Sequence, residues 1–546
     1  MVVCYAAPGR AVKRHGSSAH SCWVWAAGRI DSPAGGVILY WHVWQAPEGP
    51  GERKEDSMSA EVKIGFVAAN RRYFSTELAA KMRGEALAAM ESLGIEAVVP
   101  DESMTEIGCV KNRDEGRRCG ELFRREGVQG IVIGAVNFGD EQGCVQAVQT
   151  SGANVPVMIF GCQEEEALRP GLKRRDAFCG LLSIAEALRQ IGVRYTVAQE
   201  PICFPSGESF PTDLDHFARV CRVVNGIRGA RFGQVGTRPE AFWTCRYDEK
   251  MLQRIGVTVV PTDLSEILAA IGRMSDDDPG VRDTVRSLRA GADTSSVPPE
   301  AVLKIAKFER ALEDFIAQAD LDAVAVQCWN SLQLNYGICA CAVLARLGDR
   351  GIPCACEADV LGAMSMYALR LAADSPAALA DWNNLHNDDP ELVNLWHCGV
   401  YPPSFGRAKP KMAVQAIMGE HIGREKAVGV LELLVKEGPA TLCRVTQGAE
   451  GEGWKVFLGQ GRFEDNPAST FGAYGWCRLP GLQRIYRDIL LRHFPHHVAV
   501  TRAHVGNVLH EVFGNYFGMA TYHGVQPMPG LYTPSLPFEF PRRTSC

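Results

Sequence analysis

The sequence lacks an excess of positive charge: 57 Lys and Arg against 63 Asp and Glu give a formal net charge of −6 and a pI near 6.2. Without a basic stripe to neutralise phosphates, a nucleic-acid-binding role is excluded. Long apolar runs are also missing. No stretch of eighteen or more apolar residues occurs, so no membrane-spanning helix and no membrane partner are expected. The 19 cysteines include no paired C-x2-C, the usual spacing of zinc sites. Their odd number, and the placement of Cys328, Cys339, Cys341, Cys354 and Cys356 inside apolar runs, argue against a disulfide framework. Reduced, buried thiols acting as small hydrophobes are predicted, and with them a cytoplasmic protein.

What is present divides into four parts. Residues 1–57 show no sustained periodicity and hold Trp23, Trp25, Trp41 and Trp44 in a Gly/Ala/Pro-rich context. The stretch from Gly51 to Met58 corresponds to purine-rich codons, as a bacterial ribosome-binding site would. Synthesis is therefore expected to start at Met58, with 1–57 a non-native or disordered leader. Residues 58–205 alternate strand-like runs (Val62–Ala68, Ile95–Val99, Gly130–Gly134, Val155–Phe160) with helical ones (Ser75–Leu93, Glu115–Glu126), the signature of βαβ units and a parallel sheet. After a Pro/Gly-containing connector near Pro201–Asp213 the alternation restarts. Residues 206–375 form a second domain of the same kind, with strands at Arg231–Thr237, Val257–Val260, Ala323–Cys328 and Ile352–Cys356. Neither domain carries G-x-G-x-x-G after its first strand, so a dinucleotide site is not expected. Residues 376–546 are β-rich. Ala427–Lys436, Ala440–Gln447 and Trp454–Gly459 alternate apolar and polar residues between Gly-rich turns, which predicts an antiparallel barrel or sandwich. The expected class is α/β, with two consecutive Rossmann-like domains followed by this β-rich one.

Glu357 closes the apolar run Ile352–Cys356 just where a helical pattern begins. In open α/β sheets that is where ligands bind, beyond the carboxyl end of a strand. A second carboxylate, Asp381, follows 24 residues on, and His496-His497 stands in the C-terminal third. Two carboxylates and an imidazole can hold a divalent metal and leave positions open for substrate. Each alone has an ordinary explanation: a helix cap, a surface aspartate, one buried and one solvated histidine. Asp359 is a better cap than Glu357.

These residues resemble the L-fucose isomerase and L-arabinose isomerase superfamily over nearly all of residues 60–546, sharply only at short motifs. Glu357-x-Asp359 is similar to the first metal carboxylate segment of both families. Asp381 matches the second at the fucose-type spacing, and His497 in His496-His497-Val498-Ala499-Val500 matches the C-terminal metal histidine. His397-Cys398-Gly399 stands where fucose isomerases tend to have Asn-Ser-Gly, and His397 instead resembles a fourth metal ligand of arabinose isomerases. The second carboxylate of that type would fall at Ala380. The chain is thus a divergent member whose sugar cannot be inherited from either name.

The resemblance implies a metal-dependent aldose–ketose isomerase acting through an enediolate on a free sugar, such as L-fucose or a related deoxyhexose or pentose. Glu357 and Asp381 would be both ligands and proton carriers, and His497 a ligand only. Oxygen ligands plus one imidazole favour Mn2+, with Mg2+ or Co2+ as substitutes. Trp329, Asn330, His397, His496, Phe138 and Arg71 are candidate substrate contacts, with Trp476 and Tyr474 weaker ones and His504 and His510 structural. Asn137 and Phe138 resemble a loop lent to a neighbouring subunit's site, and a homo-oligomer, a hexamer by resemblance, is implied. Two alternatives stand beside this reading: an isomerase of another modified sugar, and a non-catalytic sugar-binding sensor of the paired α/β type.

Overall fold

Runs such as Ile131-Val132-Ile133, fully buried on successive positions, are what a sheet covered on both faces requires. The computed structural model describes residues 62–523 except 153 and 450; the expected leader 1–57 and start at Met58 lie outside them. The first sheet comprises β1 (Lys63–Ala69), β2 (Glu96–Val98), β3 (Gly130–Ala135), β4 (Val157–Cys162) and β5 (Thr196–Cys203), all parallel in the order β2-β1-β3-β4-β5. The second comprises β6 (Arg231–Val235), β7 (Thr258–Thr262), β8 (Ala323–Val326) and β9 (Cys354–Cys356), parallel in the order β7-β6-β8-β9. Each reverses direction between its first and third strands, which opens a crevice there.

The segment expected to be a connector holds the start of a long helix, Ser209–Ile227. Pro211 lies in its first turn, where the backbone N–H groups have no intrahelical partner and proline is tolerated. The helix joins two cores: Phe210, Leu214 and Phe217 pack with the first sheet, while Val220, Val223, Val224 and Ile227 pack with the second.

The C-terminal region contains β10 (Ala377–Leu385), β11 (Leu392–His397), β12 (Lys411–Val414), β13 (Val428–Leu434), β14 (Gly438–Gln447), β15 (Trp454–Glu464), β16 (Ala473–Arg478), β17 (His497–Thr501) and β18 (Ala520–His523). The strands β16-β11-β10-β17-β14-β15 form an antiparallel ring, closed where the end of β15 pairs with β16. Closure needs Gly461, because a Cβ there would come within 2.0 Å of the Arg478 carbonyl oxygen. The barrel is not wholly antiparallel: β13 adds to β16, and β18 to β15, in parallel. Helix Val360–Ala373, buried along nearly its whole length, packs between the second sheet and the barrel wall. Among the described residues no helix is long and apolar enough to cross a membrane, and the sixteen cysteines are free, all but Cys179 buried.

Candidate metal centre and sugar cleft

Strand β9 ends at Cys356, and the chain reverses through two consecutive non-glycine residues in the left-handed region, Glu357 (φ 63°) and Ala358 (φ 54°). Such conformations cost on the order of 1–3 kcal/mol each and persist only where the surroundings enforce them. Here Ala358 N–H donates to the Val326 carbonyl at 3.0 Å and Asp359 N–H to the Cys356 carbonyl at 3.1 Å. The reversal places Glu357 in the interior, 4% exposed, and hands the chain to helix Val360–Ala373, whose N-cap is Asp359.

The barrel supplies the facing groups. Asp381 of β10 and His497 of β17 are directly opposite one another in the ladder. Glu357 Oε2 lies 3.1 Å, and Asp381 Oδ1 3.5 Å, from His497 Nε2. The nearest ligand atoms of Asp381, His397 and His497 all fall within 4.8 Å of one another. Glu357 Oε2, Asp381 Oδ1, His397 Nε2 and His497 Nε2 are each buried without a hydrogen-bond partner. The Glu357–His497 approach is therefore a short contact without hydrogen-bond alignment. Neighbouring ligands at about 2.1 Å from an octahedral cation stand roughly 3 Å apart, a spacing that Glu357 and Asp381 each approach with His497. Two overlapping donor groups, Glu357 with Cys245 and Asp381 with His397, share His497 as the common ligand.

The imidazole tautomers separate the two buried histidines. His497 Nδ1 is 2.8 Å from Asp359 Oδ2, and a carboxylate can only accept, so Nδ1 carries the hydrogen and, in the neutral ring that a metal would bind, Nε2 presents its lone pair. Partners of this kind orient a metal-ligating histidine and raise its basicity. His397 is the reverse. Its Nδ1 accepts the Cys398 backbone N–H at 2.9 Å, so the neutral ring carries its hydrogen on Nε2, a donor rather than a ligand.

Ionisation follows the same contacts. Burial pushes the His497 pKa down, but the hydrogen bond to Asp359, then the nearby Cys245 thiol and the close Glu357 carboxylate, carry it well above its ordinary value. Burial also opposes charge on His397, yet Asp381 raises its pKa to about 9. Glu357 is held below the usual carboxylate range, His497 outweighing the burial penalty. Asp359 is held below that range as well: burial disfavours its charge, but Arg444 and His497 more than compensate. His496, half-exposed, has its pKa depressed by burial first and by His497 second.

Two groups at this site carry no sequence motif. Arg444 of β14 pairs with Asp359 through two bonds, 2.5 and 3.2 Å, both side chains buried. Their separation of 85 positions hides the pairing, although a buried arginine among Leu442, Cys443 and Val445 needs an anion. Cys245, in the segment following β6, has its Sγ 4.0 Å from His497 Nδ1.

An open cleft of ≈ 710 Å³ lies over the carboxyl ends of β6 and β8, lined in part by Gln234, Cys245, Gln327, Trp329 and Ala358. Trp329 packs against Phe242 (5.7 Å between ring centroids), which meets His496 edge-on at 5.9 Å. Asn330 is exposed just beyond. Arg71 and Phe138 stand at the first sheet instead. Arg71 donates to the Gly139 carbonyl at 2.6 Å, pairs with Glu141, and lies 4.4 Å over the Phe138 ring. Tyr474 and Trp476 are buried in β16, where Trp476 Nε1 donates to the Ala468 carbonyl. His504 bonds the Gly461 carbonyl and His510 bonds Thr521, both structural contacts.

Comparison with known proteins adds two family profiles. One, "Fucose/sulfoquinovose isomerase, N-terminal domain", matches residues 65–228; the other, "L-fucose isomerase, C-terminal domain", matches 395–523. Together they span more than half of the chain. His397 and His497 fall inside the second, and Glu357 and Asp381 between the two. A sulfoquinovose isomerase of Alkalicoccus urumqiensis is 26% identical over 394 residues, 71% of this chain and 84% of that protein. One from Priestia aryabhattai is 23% identical over 409 residues, 74% of this chain and 86% of that protein. One from Clostridium sp. (strain MSTE9) is 25% identical over 322 residues, 58% of this chain and 69% of that protein.

Proposed function

We propose a substrate and a mechanism for a chain that belongs to the L-fucose isomerase-like superfamily and is, as those relatives are, a sugar isomerase. The substrate is sulfoquinovose, the 6-deoxy-6-sulfo derivative of glucose, rather than L-fucose, and the reaction exchanges its C1 aldehyde for a C2 ketone. The approach of unpartnered Glu357 Oε2 and Asp381 Oδ1 to one shared, unpartnered His497 Nε2 carries the metal-dependent reading. A sugar sensor has no need of such a cluster, so the non-catalytic alternative is set aside.

Glu357, Asp381 and His497 would hold the cation, with Mn2+ favoured by two carboxylates and one imidazole and Mg2+ or Co2+ as substitutes. When bound, the cation supplies electrostatic stabilisation of the charge that develops on the enediolate oxygens. The remaining work falls to the chain. The C–H at C2 is a weak acid, and one carboxylate of the Glu357–Asp381 pair removes its proton and returns one to C1, while the proton of the O2 hydroxyl passes to O1 through the other. Asp359 and Arg444 keep the His497 ring fixed while this happens. His397 Nε2–H, a buried donor beside Asp381, is placed to hydrogen-bond a sugar oxygen. Trp329 and Phe242 form an apolar wall by His496 that limits water at the reacting carbons.

Purified protein stripped with EDTA should lose sulfoquinovose isomerisation and regain it with Mn2+. Full activity in metal-free protein, or turnover of L-fucose in preference to sulfoquinovose, would overturn this reading.

A further inference from the structure

The segment following β6 passes over the crevice of the second sheet and places two arginines in the cleft beside the cluster. Cys245 points inward to His497, while the next residue, Arg246, is exposed. Its guanidinium lies 4.0 Å over the ring of Trp243, itself 66% exposed. Among the described residues the Arg246 side chain forms no ion pair and no hydrogen bond. Arg238 lines the same cleft, with Nη1 donating to the Pro239 and Glu240 carbonyls at 2.9 and 2.7 Å, and it too has no carboxylate partner. The acidic residue on that lining, Glu240, is exposed and pairs with neither. Two uncompensated guanidiniums in one cleft, on a chain of net charge −6, mark a place for an anion.

Guanidinium presents a planar fork of donors that matches tetrahedral oxyanions with paired hydrogen bonds. Stacking on Trp243 holds that fork in place, so less side-chain freedom is lost when it binds. With C1 and C2 engaged at Glu357, Asp381 and His497, the carbon of a hexose farthest from the chemistry is C6. The cleft is of ordinary size for a ligand of this kind.

We infer that Arg246, with Arg238 beside it, is the specificity-determining anchor for an oxyanion on C6 of the sugar, a sulfonate. This assignment rests on the isomerase reading and names the residues that select its substrate. Neutral 6-deoxy sugars and L-fucose offer these arginines nothing to pair with, so discrimination against them arises here, away from the reacting carbons.

The test uses the full chain, loaded with Mn2+, in two measurements. In the first, the methyl glycoside of sulfoquinovose, blocked at C1 and unable to isomerise, is titrated calorimetrically into wild type, Arg246→Gln, Arg246→Lys, Arg238→Gln and the remote control Arg282→Gln. Arg246→Gln should weaken binding about tenfold or more, the scale of a charge-assisted hydrogen bond. Arg246→Lys should recover part of that loss, Arg238→Gln should lose less, and Arg282→Gln should match wild type. In the second, KM for sulfoquinovose should rise by a similar factor in Arg246→Gln with kcat little changed, while kinetics on uncharged 6-deoxyglucose stay as in wild type. Unchanged glycoside binding in Arg246→Gln, or equal losses on charged and uncharged sugars, would overturn the assignment. Tighter binding of methyl glucoside 6-phosphate than of the sulfonate would overturn the sulfonate in favour of a phosphate ester, and weaker binding supports it. If wild type binds the blocked glycoside in an Arg246-dependent way yet never isomerises sulfoquinovose, the isomerase reading fails and the anchor stands.

Discussion

In the first sheet, the crevice beyond β1 and β3 is filled by the chain's own partners: Arg71 engages Glu141, the Gly139 carbonyl and the Phe138 ring, and Asn137 bonds Asn70. In the second sheet, at the corresponding end, Glu357 turns a carboxylate oxygen with no hydrogen bond toward Asp381 and His497 of the barrel. The two sheets share their strand order over the first four strands, so topology does not explain the contrast. The difference lies in which side chains are left unsatisfied, and a buried polar atom without a partner is expensive unless a ligand completes it. The contrast supports the proposal that ligand chemistry belongs to the second crevice.

The strongest test of that contrast is Glu357→Gln. It removes a negative ligand and a proton carrier together, and turnover of sulfoquinovose with Mn2+ should fall by about 10²–10⁴-fold; near-normal kcat would dissolve the distinction between the crevices. Next in size is Asp359→Asn, which leaves Arg444 buried without an anion and frees the His497 tautomer. Thermal and denaturant unfolding should show a loss of about 3–5 kcal/mol, and Mn2+ titration an affinity lowered about 10–100-fold. Unaltered metal affinity would mean that Asp359 acts on the fold alone.

A third test addresses the helix Ser209–Ile227 that joins the two cores. Burial holds the His216 pKa down to about 4, against about 6.5 in an unfolded chain. Between those values the unfolded chain binds a proton that the folded one does not. Stability should therefore fall as pH drops from 6.5 to 4, by on the order of 3 kcal/mol from this residue. His216→Gln should flatten the pH dependence of denaturant unfolding; an unchanged slope would assign it to other groups. The smallest effect belongs to the first crevice. The Arg71–Glu141 pair is 30% and 36% exposed, so Glu141→Gln should cost less than about 1 kcal/mol in unfolding measurements. A larger loss would show the first crevice to be more than a solvated end of a sheet.

Local patterns made much of this legible. Apolar runs such as Ile131–Ile133 and Ala323–Val326 mark parallel strands whether or not their neighbours are known, and an acid after such a run marks a crevice. Asp381 and His497 were readable as types and spacings, whereas their position opposite one another in a ladder was not, because register across 116 residues is set by pairing. The closure of the barrel at Gly461 and the Arg444–Asp359 pair were hidden for the same reason. The helix at Ser209 was obscured by Pro211, a residue read as a breaker that sits where a helix accepts it. Arg246 carries no signal in the sequence, because an arginine in a loop is ordinary until its missing carboxylate can be seen.

The helix Ser209–Ile227 also bears on how a sugar reaches Glu357. Two-lobed sugar receptors work as clamshells, bending at a hinge to admit and enclose their ligand. Here a single rigid rod is sunk into both lobes, with Phe210 fully buried at one end and Val224 and Ile227 fully buried at the other. Opening such a shell would draw several large apolar side chains into water, at about 1.5–3 kcal/mol apiece. The lobes are splinted together, and the cleft that Arg238 and Arg246 line is open to solvent without their parting.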